Sequence, residues 1–590
     1  MNKEFKMKES LDFAISGAER EIADKSVQMA LDAGASAVMV SLDKAKTEIY
    51  ALLDGEIDNI RQTGDRSLTF NIYADGKYGT FSTNRFEEDS LRDFLCKAVE
   101  TVRMLVADPF RGLPDKKDLA TDAVNGDEMG LCWYGYDSVS RDEKLEMARR
   151  VSVFGEFSAP SSDRNWRVVS EEVEYNNTLS DTYLTSSDGC RCRQTETSFE
   201  VSSQVTVEDN DGNKYTGLWW DYGVSPEKVL TSECGRKAVE MAVMQIAPVN
   251  ADKGKYTMVV SRLVSGRLLQ PVLNALSSLS IYQKSSFLVD ALGKQVFSKG
   301  LNVMDMPLEK GKSGAILFET DGRACRNREI ISDGVVKENF TSIYMSRKLG
   351  IPPTSSCPNR PVLLPFVSEE LLAGEREGGH CGVSGDGLGG SGLCGDCGEV
   401  SGDGFGAASG GERGVELGAA NGGERGVERG EVSGFGLGAE NGGERGVELG
   451  VASGGLGAAS GDERGVELGV VNGGGRGVEL GAVNGAERGL KACPFVNEIA
   501  QQSILERCGS GILVTDFNGG NCNSATGDFS YGVSGFLFEN GKITSPIDSM
   551  LITGNMTDLW SNLLAAGSDP VPGMSRQVPT LAFRDVTFNA

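Results

Sequence analysis

A single histidine limits the chemistry that this chain can perform. His380 is the only one among 590 residues, so nucleophilic catalysis by a Ser–His or Cys–His pair is nearly excluded. His380 and Cys381 precede Cys394 and Cys397, a spacing that would suit a four-ligand structural zinc site. The alternative is a chance grouping in a cysteine-containing segment, because nothing apolar surrounds these residues to form a small core.

A second candidate is the pair of carboxylates Asp516 and Asp528, which flank the glycine-rich turn at Gly519-Gly520. They could form a polar site at the mouth of a sheet. The interpretation that we favour is that they cap their own turns, which is the commoner role of aspartate beside glycine. The chain contains no phosphate-binding P-loop and no dinucleotide-binding fingerprint.

The strands that would carry these carboxylates belong to a β-rich C-terminal domain. Alternating apolar residues over 512–517 and 529–538 predict strands, and Asn540-Gly541 predicts a type I′ hairpin turn. Upstream, the pattern predicts strands over 315–318, 329–336 and 340–345 and a long apolar helix over about 263–279. Helical and alternating patterns are mixed before Pro248, which predicts an N-terminal α/β domain.

We therefore predict an α+β protein of two domains. The first is a mixed α/β domain over residues 1–247. The second is an antiparallel β-barrel-like domain formed by residues 248–365 and 493–590. Residues 366–492 form a Gly/Glu-rich low-complexity insert, in which G-E-R-G-V-E-L-G recurs at Gly411 and Gly443. This segment has too little apolar mass to offset the entropy of ordering, so the composition predicts disorder.

The composition indicates a cytoplasmic protein. A net charge of −26 disfavours binding to nucleic acid and to anionic membrane surfaces, and no apolar run approaches the ~20 residues of a membrane span. The thirteen cysteines have no framework spacing, which favours reduced thiols. The first residues alternate charged and apolar side chains, which indicates the start of a helix and not a signal peptide.

Several separated segments, in the same order, closely resemble the TldD/PmbA family. The resemblance covers nearly the whole chain except residues ~360–492. The segments are YADGKYGT at Tyr73, DPFRGLP at Asp108, YQKSSFLVDALGKQ at Tyr282, YMSRKLG at Tyr344, TGDFSYGVSG at Thr526 and ENGKI at Glu539.

The resemblance implies a protein with an N-terminal α/β domain and a C-terminal barrel-like domain. The family's catalytic branch is a zinc metallopeptidase with an H-E-x-x-x-H helix and a distal cysteine ligand. Here Gln270 and Ala275 occupy the two histidine positions and Pro271 the glutamate position, and no cysteine follows Cys522. Glutamine is a poor zinc ligand and alanine and proline are none, so we expect no catalytic residue and no zinc on this helix.

The resemblance therefore implies the PmbA branch, also called TldE, whose members pair with a TldD-like H-E-x-x-x-H subunit. We expect a non-catalytic subunit, inactive alone, of a heterodimeric zinc metallopeptidase that acts on unfolded peptides, with zinc on the partner. The alternative is a stand-alone peptide-binding or scaffold protein. An active peptidase with another metal site is disfavoured by the lone histidine. We also expect deletion of residues 370–490 to leave folding intact, because loop-closure entropy changes slowly with length.

Overall fold

A computed structural model describes residues 11–121, 123, 126–372 and 500–589. The helices are α1 Gly17–Asp32, α2 Glu88–Met104, α3 Arg141–Val151, α4 Phe154–Phe157, α5 Glu227–Leu230, α6 Cys234–Val243, α7 Gly266–Ala275, α8 Ser278–Tyr282, α9 Ile343–Leu349, α10 Gln501–Cys508 and α11 Met556–Ser561. The strands are β1 Ala37–Leu53, β2 Glu56–Ala74, β3 Lys77–Thr83, β4 Trp166–Ser186, β5 Arg191–Asp209, β6 Lys214–Gly223, β7 Gly254–Val260, β8 Val303–Asp305, β9 Arg328–Ser332, β10 Val335–Val336, β11 Pro361–Leu363, β12 Phe366–Val367, β13 Gly511–Cys522, β14 Asp528–Glu539, β15 Lys542–Asn555, β16 Leu563–Ala566 and β17 Leu581–Asn589.

The N-terminal region is built on one antiparallel sheet in the order β3-β2-β1-β4-β5-β6. Its strands are joined by tight turns, and at Asp75-Gly76 both residues have positive φ, 52° and 71°. This is the geometry that a two-residue hairpin turn requires. Asp-Gly is a residue pair typical of such turns.

Helices α1, α2, α3 and α6 pack against this sheet. Helix α1 begins at a capping box in which Ser16 and Glu19 satisfy each other's backbone N–H groups. The apolar residues of α1 and α2 lie on Val40, Leu42 and Phe70 of the strands. One layer of helices on one sheet therefore forms the N-terminal core.

The C-terminal region contains a closed barrel of five strands. The ring runs β7-β13-β14-β15-β17, and β17 pairs again with β7. Four of the five pairings are antiparallel, whereas β7 and β13 pair in parallel. The predicted mixed α+β fold with a C-terminal barrel is confirmed, and the parallel pair corrects the purely antiparallel description. A parallel pair needs a long crossover, which the residues between β7 and β13 provide.

A smaller sheet, β10-β9-β8-β11, follows the barrel's first helices in the chain. Beside it lie charged groups that are almost fully buried. Arg328 pairs with Asp305, and Arg323 Nη2 lies 2.6 Å from Asp321 Oδ2. Paired charges of this kind tolerate burial because each offsets the desolvation of the other.

Three predicted elements were wrong. Residues 340–345 do not form a strand, because Ser342 caps the start of α9 by accepting the N–H of Met345. The helix predicted over 263–279 is two helices, since α7 ends at Ala275 and α8 starts after Ser277. Residues 315–318 make only an isolated bridge, between Phe318 and Ala324.

Other predictions lie beyond what the structure tests. His380, Cys381, Cys394 and Cys397 fall outside the described residues, as do most of residues 366–492 with their predicted disorder. The domain limits at 247/248, 365/366 and 492/493 stay predictions. Within the described ranges, no helix combines the length and apolar character needed to cross a membrane.

Candidate functional site

Helix α7 carries the three residues at the positions of the zinc motif. Leu268, Leu269, Val272 and Leu273 are buried in the barrel core, and Trp560 donates its indole N–H to the Leu268 carbonyl at 3.2 Å. This buried face holds the helix together although Pro271 lies inside it and removes one backbone hydrogen bond. The opposite face, with Arg267, Gln270 and Asn274, is polar.

The side chains at the motif positions do not provide a set of metal ligands. Gln270 donates its Nε2 to Asn274 Oδ1 at 2.5 Å, and Ala275 is buried and carries only a methyl group. The Oε1 atom of Gln270 is buried and has no hydrogen-bond partner in the described part of the chain. An amide oxygen, a proline and an alanine do not fit the donor set of a catalytic zinc ion.

No cluster of three or more His, Cys, Asp or Glu side chains suited to a metal ion occurs among the described residues. The prediction that this helix holds no zinc rests on the chemistry of its side chains and stays a prediction. The possible structural site at His380 lies outside the described ranges.

The two carboxylates of the glycine-rich turn do not form one site. Asp516 lies opposite Ser534 on β14, and Asp528 lies opposite Asn555 on β15. Six residues of an extended strand, about 20 Å, separate Ser534 from Asp528. Asp528 accepts hydrogen bonds from Thr526 Oγ1 at 2.8 Å and from Asn555 at 3.0 Å.

These contacts hold the pKa of Asp528 below its ordinary value, with Asn555 as the largest cause. The partners of Asp528 come from its own turn and from the adjacent strand. They support the turn-capping interpretation for this residue.

The polar face of α7 borders a buried tyrosine of the barrel, Tyr531. Arg267 Nη1 donates to the Phe517 carbonyl at 3.2 Å. Burial raises the pKa of Tyr531 to about 12, the nearby Cys522 adds to the rise, and Arg267 opposes it. Burial also raises the pKa of the Cys522 thiol, so this thiol is not an activated nucleophile.

The family-like segments meet in space along a ladder of cations and aromatic rings. The Arg111 guanidinium lies 4.9 Å from the ring of Tyr78 and 4.1 Å from that of Tyr344. Lys348 Nζ lies 5.2 Å from the Tyr344 ring and 5.0 Å from the Tyr282 ring. We call these five residues the cation–aromatic ladder. It joins β3 of the N-terminal sheet to α8 of the C-terminal region.

One further contact extends this connection, because Arg347 Nη2 donates to the Leu113 carbonyl at 2.6 Å. Within the C-terminal region, the Phe287 N–H donates to the Ser524 carbonyl at 2.9 Å, beside the glycine-rich turn. Sequence reasoning quoted the segments that contain most of these residues but did not predict their contacts. No spacing rule connects residues so far apart in the chain.

Comparison with family models shows to which protein family the chain belongs. Residues 253–365 and 492–590 match the PmbA/TldA metallopeptidase C-terminal domain, and residues 134–246 match the PmbA/TldA metallopeptidase central domain. The chain belongs to the PmbA/TldD family. The predicted resemblance is confirmed.

Curated relatives in this family extend over most of the chain. Metalloprotease PmbA of Escherichia coli O157:H7 is 22% identical over 94% of this chain and 92% of its own length. A PmbA homologue of Haemophilus influenzae is 22% identical over 93% of this chain and 91% of its own. Both are named metalloproteases, which supports a peptidase-related role for the family.

Solved structures share the fold. A Bacteroides thetaiotaomicron protein, described as a proposed modulator of DNA gyrase, matches with a TM-score of 0.71 and 25% identity over 98% of this chain and 100% of its own. TldE from Thermococcus kodakarensis matches with a TM-score of 0.60 and 11% identity over 96% of this chain and 100% of its own. At that identity the second likeness concerns the fold alone.

Proposed function

We propose that this chain is the non-catalytic subunit of a heterodimeric zinc metallopeptidase that degrades or processes unfolded peptides. The observation that carries the proposal is the side-chain set on α7, where Gln270, Pro271 and Ala275 take the places of two zinc ligands and a general base. Zinc catalysis needs three protein ligands and an open position for water. A chain without them would take part in this catalysis only together with a partner that has them.

The proposed contribution of this chain is structural. With the barrel and the N-terminal sheet held together by the cation–aromatic ladder, the chain would form one wall of a chamber. The partner, a TldD-like subunit with an intact H-E-x-x-x-H helix, would supply zinc and the general base. A closed chamber would admit only extended polypeptide, which gives the expected preference for unfolded substrates.

The test is co-purification of the full chain with a paralogue that carries H-E-x-x-x-H. Each chain and the pair are then assayed on an unfolded peptide, and the zinc content of each is measured. We expect a stable pair, chelator-sensitive cleavage by the pair, and zinc on the paralogue. In the matched control, glutamine replaces the glutamate of the paralogue's H-E-x-x-x-H motif. This pair should assemble but should not cleave the peptide. Two chains that do not associate would contradict the proposal and favour the stand-alone peptide-binding alternative.

A second test asks whether α7 can support zinc-dependent peptidase activity. The triple variant Gln270→His, Pro271→Glu, Ala275→His restores the helical motif but not the distal cysteine. We expect no chelator-sensitive peptidase activity from this variant alone. Activity in the unmodified chain alone, abolished by a chelator, would overturn the non-catalytic assignment.

A further inference from the structure

The last strand of the N-terminal sheet, β6, has a long edge that no other strand of the described residues covers. The sheet ends with β6, which pairs with β5 from Lys214 to Gly223. The register of this pairing runs without a bulge along the whole of β6. A regular edge strand presents unpaired backbone N–H and C=O groups to any strand that can reach it.

The pairing pattern identifies the backbone groups at this edge. The turn between β5 and β6 closes with a hydrogen bond from the Asp209 N–H to the Asn213 carbonyl at 3.0 Å. Hydrogen-bonded and non-hydrogen-bonded pairs alternate in an antiparallel ladder, so the odd-numbered residues of β6 bond to β5. The N–H and C=O groups of Leu218 and Trp220 therefore point to the free edge.

The other long free edge of this sheet is protected by charge. Strand β3 pairs with β2 only at residues 68–74, so residues 56–67 of β2 form an edge of their own. Charged side chains are a common protection of such edges against other strands. This stretch has five of them: Glu56, Asp58, Arg61, Asp65 and Arg66.

The middle of β6 lacks this protection. Its two charged residues are Lys214, at the first position, and Asp221, whose carboxylate accepts the Ser232 hydroxyl at 2.7 Å. Between them, Leu218 and two tryptophans are half-buried, and the rings of Trp219 and Trp220 lie 6.2 Å apart. The edge is thus uncharged and apolar where its backbone groups are available.

We propose that β6 pairs with β6 of a second copy of this chain, so that two six-stranded sheets become continuous. Two identical edges are complementary when a two-fold axis relates them, because the strands are then antiparallel. With the axis at Trp219, Leu218 of each copy lies opposite Trp220 of the other. These two pairs exchange about four backbone hydrogen bonds. The contact does not involve α7 or the zinc-bearing subunit, so it would stand if the proposed subunit role failed.

Helix α6 leaves room for this pairing. It packs directly on Gly217, where a Cβ atom would lie 2.1 Å from the Ala238 carbonyl oxygen. In the proposed register Gly217 lies opposite Asp221 of the second copy, so the two α6 helices cross the joined strands about 13 Å apart. A helix with its side chains is about 10–12 Å wide. Two α6 helices therefore fit side by side.

The pairing also ends where α6 does. Gln245, just after this helix, donates its Nε2 to the Thr216 carbonyl at 2.8 Å. That carbonyl lies at the same edge as those of Leu218 and Trp220, and it already has a donor. The available part of the edge is consequently short and lies at the proposed axis.

The test is sedimentation equilibrium of the full chain at several concentrations, with hydrogen exchange of the β6 amides measured by mass spectrometry. We expect a monomer–dimer equilibrium and a protection of β6 that rises with chain concentration. Added salt should strengthen the dimer, because each copy has a net charge of −26 and salt screens their repulsion.

Three outcomes would overturn the proposal. The first is a chain that stays monomeric at every concentration. The second is a protection of β6 that does not depend on concentration, since another segment of the same chain would then cover the edge. The third is protection that appears only after addition of the H-E-x-x-x-H paralogue or of an unfolded peptide, since that molecule would then be the partner.

Variants at the edge locate the contact. Leu218→Lys and Trp220→Lys place a charge there and should weaken dimerisation at least about ten-fold. Leu218→Pro removes an N–H that faces the edge and no bond to β5, so it should weaken the dimer while keeping the melting transition. Thr63→Lys, at an exposed position on the charged edge of β2, is the matched control and should dimerise like the unmodified chain. Dimerisation that is unchanged in all three β6 variants would place the contact elsewhere and overturn the proposal.

Discussion

The Arg111 guanidinium lies 4.1 Å from the centre of the Tyr344 ring, across 233 positions of sequence. The side chain of Arg111 is only 14% exposed, so the contact is shielded from solvent. It ties the segment after α2 to α9 and hence the N-terminal sheet to the C-terminal region.

Arg111→Ala should lower the free energy of unfolding by about 1–2 kcal/mol, because a desolvated cation–π contact is worth up to about 2 kcal/mol. Urea unfolding of the full chain measures the change. Arg85→Ala, at an exposed arginine before α2, should change it by less than about 0.5 kcal/mol. Equal effects of the two substitutions would mean that the ladder adds nothing to stability.

Removing one partner of the buried pair of Asp305 and Arg328 should destabilise the fold strongly. Arg328→Met leaves the Asp305 charge buried, although the N–H groups of Asn359 and Arg360 still donate to it at 3.0 and 2.6 Å. We expect Arg328→Met to lower the free energy of unfolding by about 3–5 kcal/mol.

The matched control for Arg328 is the exposed pair of Arg584 and Glu370, with side chains 43% and 60% exposed. Arg584→Met should lower the free energy of unfolding by less than about 1 kcal/mol. The interpretation of the buried pair fails if the two substitutions have similar effects on the urea midpoint.

Glu319 predicts a dependence of stability on pH. Burial raises its pKa from 4.5 to about 7, although Arg328 and Arg323 oppose the rise. Between these two values the folded chain holds a proton that the unfolded chain has lost, so stability falls as pH rises from 4.5 to about 7. The slope from this group is at most about 1.4 kcal/mol per pH unit.

Glu319→Gln mimics the protonated form and can keep the hydrogen bond that Asn359 Nδ2 donates at 3.1 Å. It should flatten the pH dependence of the unfolding free energy between pH 5 and about 7. Glu128→Gln, at an exposed position, serves as the control. Glu174 and Glu338, whose pKa burial raises to about 7 and about 8, add slope of the same sign. A slope in Glu319→Gln as steep as in the unmodified chain would mean that Glu319 contributes none of it.

Deletion of the low-complexity insert should leave the melting transition in place. Leu371, near the start of the insert and before its glycine-rich repeats, and Cys508, after the insert, both pack against the cluster that contains Ile504 and Leu505. The two described segments on either side of the repeats therefore lie close together. A deletion of residues 374–490, slightly shorter than the 370–490 deletion considered above, keeps both side chains. Thermal unfolding followed by circular dichroism compares this variant with the full chain. An insoluble deletion variant, or one without a cooperative transition, would show that the insert supports the fold.

The sequence predicts best those parts of the fold, such as tight turns, in which neighbouring residue types determine the backbone conformation. The turns at Asp75-Gly76, Asp333-Gly334 and Asn540-Gly541 all have positive φ, and the residue types alone require this. In the N-terminal sheet, polar residues around Asn176 interrupt the alternating pattern that is typical of a strand. Strand β4 nevertheless runs unbroken from Trp166 to Ser186, because its neighbours on both sides supply the backbone partners.

The missed features depend on contacts between distant segments. Ser342 was a visible helix-capping residue, but the apolar residues after it resembled a strand. The cation–aromatic ladder could not be predicted, since it joins residues from several elements whose proximity only the folded chain defines. Gln270, Pro271 and Ala275 were assigned through the family resemblance, and the structure places them on the expected helix.

The closure of β17 on β7 has a consequence for biosynthesis. About 320 residues, including the insert, separate Val260 of β7 from Leu581 of β17. At roughly 5–20 residues per second, β7 would leave the ribosome about 15–60 s before its second neighbour exists. During that interval an apolar strand with unpaired edges would be open to wrong partners. We therefore expect the nascent chain to depend on chaperones. Each residue added to the insert lengthens the interval between the synthesis of β7 and that of β17.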